Sequence, residues 1–394
     1  WDITTGTYNG KYLNVGADGF TSAERISFRI ENDNKLFVKG PNSNHPGNDV
    51  IYQYTIPAQN SGGGGGGGSG NPYGDRGIIF NASSSLDGGN SGHSQRIEYF
   101  DITTTGNAAA FGLMTQKQDI NNNYNSDRGA SNGNRAVACL NHGPYPSTVG
   151  SLEYVATATL GNSVSFGTNT FRESLMGLSD GTKAYYAGGP FGGEIHPNQT
   201  NLGTNVEVIT IDTTGNATDT GYGTPNQTNG GTHGNTSRGI FAGGREDYNT
   251  GLAAVDYSDQ MYYIAYPLSA GASDFGNLIF SQRQPSGTGS DTIACFTGGQ
   301  GTGNPGYAVN IEYVTIANTG NASSFGDLTS GRQSIGATGN NTRGVFIGGY
   351  SGYPAGDRID TMEYITFATP GNAVDFGDMT AKGSNAQAMS GNAS

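Results

Sequence analysis

The chain is poor in charge, in sulfur and in long apolar runs, and each shortage removes a class of protein. Charged residues make up only 13% of 394 residues, with 19 Lys plus Arg against 32 Asp plus Glu and a net charge of −13. No basic stripe interleaves with the aromatics, so nucleic acid is not an expected partner. No apolar run approaches the ~20 residues that span a bilayer, so membrane insertion is not expected either. The two cysteines, Cys139 and Cys295, sit in apolar strand-like runs of different repeats, 136–140 and 293–296. They are expected to be reduced core thiols rather than a disulfide framework. The first residues, Trp1-Asp2-Ile3-Thr4-Thr5, are neither an initiator methionine nor a signal peptide, so the chain reads as a processed or partial piece of something longer. No amphipathic helix of three or more turns is legible.

What is abundant is glycine, 67 residues, far above the usual ~7%. Thr, Tyr, Val, Ile and Phe fill the segments between Gly, Asn, Asp and Ser clusters, the pattern of many short strands joined by tight turns. One unit recurs. It reads Arg-Gly, three apolar residues and Gly-Gly, then a variable loop, then Glu-Tyr within an apolar strand, and finally Gly-Asn-Ala-x-x-Phe-Gly-Asp-Leu-Thr. The fullest copy runs from Arg343 through Glu363-Tyr364 to Thr380. The Glu-Tyr position recurs at Glu98, Glu153, Glu207, Tyr262, Glu312 and Glu363, spacings of 55, 54, 55, 50 and 51. A period near 50 with several strands per unit predicts propeller blades. The Gly-Asn pairs at 106/107, 161/162, 215/216, 320/321 and 371/372 are expected to turn the last hairpin of each blade. The Gly-Gly pairs at 188/189, 243/244, 298/299 and 348/349 are expected to end a strand beside the crowded axis.

The chain therefore divides into a blade-like β unit over 1–58, a Gly-rich linker over 59–73 with seven consecutive glycines, and a propeller of six four-stranded blades over 74–394. A seven-bladed ring that takes in the first unit is the alternative. The last residues, 381–392, match the segment that opens other repeats, whereas the first repeat lacks it, so the C-terminal strand is expected to close the ring.

These residues carry a resemblance. Arg343-Gly344-Val345-Phe346-Ile347-Gly348-Gly349 and the Glu-Tyr to Phe-Gly-Asp block resemble the kelch or galactose-oxidase-like propeller repeats of bacteriophage virion proteins, the cyanophage type in particular, across 74–394. Residues 1–5 and 48–55 are similar to YVTN-type repeats of phage tail-fibre-like proteins. The resemblance implies a virion location, in a tail or surface appendage outside the cell. The expected role is non-enzymatic adhesion to a host-surface glycan or protein. Other virion subunits are expected as partners, with homo-oligomers as a further possibility. A structural spacer or decoration subunit is the alternative role, and a glycan-degrading enzyme a minor one. Fold alone does not choose between them.

The residues offer no catalytic constellation. His45, His93, His142, His196 and His233 lie singly in Gly/Asn/Pro-rich segments without metal-ligand spacing, and are read as exposed loop residues. The carboxylates Glu98, Glu153, Glu207, Glu312 and Glu363 recur with the fold, whereas a catalytic pair would break the symmetry. They are expected to satisfy neighbouring backbone or the recurring Arg76, Arg238 and Arg343. The glycine run lacks a phosphate-loop ending, and the Asn/Asp-rich loop 119–127 matches no calcium loop, so no cofactor is expected. What varies between repeats is the loop after Gly-Gly. Phe191, His196, Tyr248, Tyr307, Tyr350 and Tyr353 in those loops are the candidate ligand-binding residues, because a rigid scaffold presenting varied aromatic loops is a common way to build a binding face.

Overall fold

The computed structural model describes residues 7–8, 11–12, 27–31, 35–42, 45–55, 74–80, 83–84, 94–116, 128–140, 149–170, 172, 174–189, 204–225, 227–246, 257–301, 306–352 and 356–393. The chain divides into two compact units, residues 1–60 and 61–393. In the first, Ser27–Glu31, Lys35–Asn42 and His45–Thr55 form an antiparallel meander, with Val38 opposite both Phe28 and Tyr52. A short ladder pairs Thr7–Tyr8 with Lys11–Tyr12.

The second unit is a six-bladed β-propeller, all-β, with no helix among the described residues. From the axis outward, blade 2 consists of Ala130–Ser131, Arg135–Leu140, Val149–Ala156 and Val164–Thr170, all antiparallel. Blade 3 runs Met176–Ser179, Lys183–Ala187, Asn205–Thr210 and Thr218–Gly223. Blade 4 runs Gly231–Gly234, Arg238–Ala242, Ser258–Ala265 and Ser273–Arg283. Blade 5 runs Ser286–Gly289, Ile293–Thr297, Asn310–Thr315 and Ser323–Asp327. Blade 6 runs Gly336–Gly339, Arg343–Ile347, Asp357–Thr366 and Val374–Ser384. Blade 1 is composite. Its inner strand is Gln387–Gly391, paired with Arg76–Phe80, followed by Arg96–Asp101 and Ala109–Leu113. The inner strands touch in ring order, with blade 6 meeting the C-terminal strand, which meets blade 2. Six strands close the circle.

Sequence explains each layer. Inner strands are small and Gly-rich because they converge: a Cβ on Gly287 would stand 2.4 Å from the Thr232 carbonyl oxygen of the adjacent blade. Second strands are apolar on both faces because a blade covers each side, as in Ile78-Ile79-Phe80, all fully buried. The cores lie between blades. One joins Ile79, Phe100 and Ala388 of blade 1 to Val345, Ile347, Met362 and Phe376 of blade 6. Within a blade, the third-strand tyrosine meets the outer-strand phenylalanine edge to face, at 5.7–6.0 Å between Tyr313 and Phe325 and between Tyr99 and Phe111, a geometry worth ~0.5–1.5 kcal/mol beyond burial.

Three polar stitches recur at the seams, and they revise the roles expected of the motifs. First, the Gly-Asn asparagine of one blade accepts the outer-strand amide of the blade before it: Leu113 N to Asn162 Oδ1 at 3.0 Å, Thr168 to Asn216 at 3.1 Å, Asn277 to Asn321 at 3.0 Å, Asp327 to Asn372 at 3.1 Å and Asp378 to Asn107 at 3.0 Å. Gly-Asn is thus a clasp between blades rather than a device for turning its own hairpin. The steric demand for glycine falls on its neighbour, since a Cβ at the Phe-Gly glycine Gly112 would lie 2.0 Å from the Gly161 oxygen, whereas one at Gly161 would meet nothing within 4 Å. Second, the repeated glutamate accepts from the end of the preceding outer strand. Third, the recurring arginine lies over the tyrosine of its own blade, at 4.6–5.1 Å for Arg135 and Arg76. It then donates to carbonyls of the next blade, as Arg76 does to Thr157 at 2.8 Å and Arg343 to Thr103 at 2.6 Å.

The Gly-Gly pairs do have positive φ, for example 63° and 95° at Gly243 and Gly244. They pack against the segments that cross from one blade to the next rather than against the axis: the Gly244 amide donates to the Gln282 carbonyl at 2.7 Å, and a Cβ there would stand 2.3 Å from the Thr228 oxygen.

Candidate recognition face

Strand direction alternates outward from the axis, so the loops after the second strands emerge on the same side of the ring as the crossovers that carry each outer strand into the next inner strand. Short ladders fasten the two. They pair Gln227–Thr228 with Arg245–Glu246, Gln282–Arg283 with Gln300–Gly301, Arg332–Gln333 with Tyr350–Ser351, and Gly383–Ser384 with Ser83–Ser84. Among the described residues, the five crossovers into blades 3, 4, 5, 6 and 1 each pass through one left-handed residue that is not glycine: Ser174, Asn229, Gln284, Ser334 and Asn385, at φ of 54–57°. These are linked from blade to blade around the axis, with the Gln284 amide donating to Asn229 O and the Asn385 amide to Ser334 O, both at 2.9 Å. Such φ values are costly for a side-chain-bearing residue and persist where surrounding contacts fix them.

Of the six candidate residues, Phe191, His196, Tyr248 and Tyr353 lie outside the described residues. Tyr307 and Tyr350 are described, both half-buried, and they meet around Gln333. Gln333 Nε2 donates to the Tyr307 hydroxyl at 3.4 Å, and Gln333 is opposite Tyr350 in the short ladder. The guanidinium of Arg358 lies 5.2 Å from the Tyr350 ring centroid. A parallel group stands one blade back: Arg283 lies 5.4 Å from the Tyr257 ring and donates to Gln300 Oε1. Gln333, Arg358, Arg283 and Tyr257 were not singled out from the sequence. No repeat signal marked them, because the flanking residues vary as well, from Gln227 and Asn229 to Gln282 and Gln284 to Arg332 and Ser334. A shallow cavity of about 240 Å³ opens on the other side of the ring, at the last hairpin of blade 5, lined by Tyr313, Asn318, Thr319 and Asn321. Blade 5 is also where Ile293 replaces the recurring arginine.

The repeated carboxylates belong to the seams. Glu153 accepts from Thr115 N at 3.0 Å and from Ser163 Oγ. Glu207 accepts from Thr170, Glu312 from Ile279, Glu98 from Thr380, and Glu363 from the Thr329 amide. Their neighbours are not Arg76, Arg238 and Arg343, which bridge elsewhere. Two of them pair with arginines of the crossovers, Arg172 with Glu207 at 3.0 Å and Arg332 with Glu363. Burial nevertheless holds the Glu363 carboxyl above its usual range, partly offset by Arg332.

His233 corrects another expectation, since it is fully buried on the inner strand of blade 4, with Nε2 at 3.1 Å from the Ser290 carbonyl of blade 5. Cys139 and Cys295 are buried and form no disulfide, and burial pushes the Cys139 thiol up to about 11, which makes it unreactive near neutrality. No group of three or more His, Cys, Asp or Glu gathers as a metal cluster among the described residues. No protein-family model matches the chain, and no curated protein matches it.

Proposed function

We propose that this propeller is a non-catalytic recognition module of a phage virion appendage, binding a host-surface glycan or protein through the loop face of blades 5 and 6. The observation that carries the reading is the gathering of Tyr307, Gln333, Tyr350 and Arg358 where two variable loops meet one crossover. Half-buried tyrosine rings offer stacking surface at low entropy cost, and an amide with a guanidinium beside them supplies directional donors. The resemblance of the repeats to those of virion proteins supports the setting. The test is a glycan-array and host-cell binding assay on the intact chain beside a Tyr307→Ala, Gln333→Ala, Tyr350→Ala variant. Saturable binding that falls at least tenfold in the variant is the expected result, and equal binding by both removes blades 5 and 6 as the site.

A second reading, a spacer that packs against other virion subunits, is favoured by one patch. Leu113, Leu160 and Val164 are 50–55% exposed on the rim where blades 1 and 2 meet, tied together by the Ser163 amide bond to the Leu113 carbonyl. Apolar residues gathered on a rim suit subunit contact.

A further inference from the structure

We propose that blade 5 binds a metal cation, held by oxygen ligands, in the place where blades 3 and 6 hold a guanidinium. The inference comes from comparing one repeat position across blades. In blade 6, Arg332 donates to the carbonyls of Gly348 and Thr361, at 3.3 and 3.0 Å, and to Glu363. In blade 3, Arg172 does the same with Gly188, Asn205 and Glu207, at 3.2, 2.7 and 3.0 Å. In blade 4 both partners change together. Gln227 replaces the arginine and donates to the corresponding carbonyls of Gly243 and Gln260, while Tyr262 replaces the glutamate. Blades 3, 4 and 6 are therefore each balanced, cation with carboxylate or amide with none.

Blade 5 alone of these four is mismatched. Gln282 stands at the arginine position, but Glu312 is retained. Both side chains are 1% exposed, and Glu312 Oε1 and Gln282 Nε2 are buried without a hydrogen-bond partner. Glu312 receives backbone amides from Ile279 and Phe280 on its other oxygen's side, and among the described residues the charged neighbour that bears on it is Asp259, which is also acidic. Burial pushes its carboxyl up to about 7, partly offset by the two backbone amides. A buried carboxylate without a counter-charge is among the costliest arrangements in a protein interior. The donor set is hard. It comprises the Glu312 carboxylate, the Gln282 amide oxygen once the amide is turned over, and the carbonyls of Gly298 and Asn310, which correspond to those that receive Arg332; the Asn310 carbonyl already accepts from the Thr297 hydroxyl at 2.7 Å and would offer its second lone pair. That chemistry takes an alkaline-earth or alkali cation and not a thiophilic metal.

The test uses the whole chain, stripped of metal and then given calcium, magnesium, potassium or sodium chloride at matched ionic strength, with Tm as the readout. The expected result is a saturable rise in Tm with one of these cations, calcium foremost. It should vanish in Gln282→Arg, which rebuilds the blade 6 arrangement and so should fold, and in Glu312→Gln. A Tm that ignores every cation, but rises as pH falls through neutrality, shows that a proton alone satisfies Glu312 and overturns the proposal. A cation effect that survives in Gln282→Arg overturns it as well, by placing the metal elsewhere.

Discussion

The seam between blades 6 and 1 and the seam between blades 3 and 4 differ in the opposite direction from the one chain connectivity suggests. At the first, the chain is not continuous, since blade 1 borrows its inner strand from the C-terminal segment, yet all three stitches are present. Asn107 accepts from Asp378, Glu98 accepts from Thr380, and Arg343 donates to Ile102 and Thr103. At the second, the chain passes straight from one blade to the next, and all three are missing from the sequence itself. Tyr262 replaces the glutamate, Gly271-Ala272 replaces Asn-Ala, and Lys183 replaces the arginine. In their place Tyr185 stacks on Tyr266 at 4.8 Å and an apolar cluster of Met176, Leu178, Phe241, Ile264 and Leu268 fills the seam. The stitches do not follow chain continuity: the continuous seam between blades 1 and 2 carries all three as well, and the seam between blades 3 and 4 relies on non-directional packing instead.

The sharpest way to break this comparison is to remove the borrowed strand. A chain ending at Asn385 leaves the Arg76–Phe80 edge open and uncovers Ile78 and Ile79, and it is expected to lose cooperative unfolding in a denaturant titration altogether. A smaller change tests the clasp glycines. Gly167→Ala places a Cβ 2.1 Å from the Gly215 carbonyl across a stitched seam and should cost about 1–3 kcal/mol by denaturation. Its counterpart at the unstitched seam, Gly221, has open space around it, and Gly221→Asn, whose side chain tolerates the 75° φ, should stay within ~0.5 kcal/mol. If both cost the same, the seams do not differ as described. A modest effect, about 1 kcal/mol by the same measurement, is expected from Asn216→Ala, which removes one clasp bond and leaves the Thr168 amide to find another acceptor.

Much of this difference was legible before the structure. The period, the missing first strand of the first repeat and the breaks in the motif at Tyr262 and after Pro267 are all sequence facts, and they map onto blade number, closure and the odd seam. What the sequence could not show is which residue faces which across a seam. The repeat unit displays Glu98 and Arg76 as if they were neighbours of one kind, but the ring turns one toward the blade behind and the other toward the blade ahead. The gathering of Tyr307 and Tyr350 around Gln333 is likewise a product of two loops and a crossover meeting, none of them close in sequence. The left-handed residues carry no compositional mark, since Ser, Asn and Gln serve equally.

The borrowed strand also has a kinetic consequence. Gln387 pairs with Phe80, and almost the whole propeller lies between them in the chain. A ribosome delivers the partner of Arg76–Phe80 only after the other five blades have been made, so the first blade waits with an uncovered edge while its neighbours form. Contacts of such sequence separation are late and slow to form, and an open strand edge is where chains pair wrongly with one another. The yield of native protein is therefore set less by the stability of the finished ring than by how long the first blade survives unclosed.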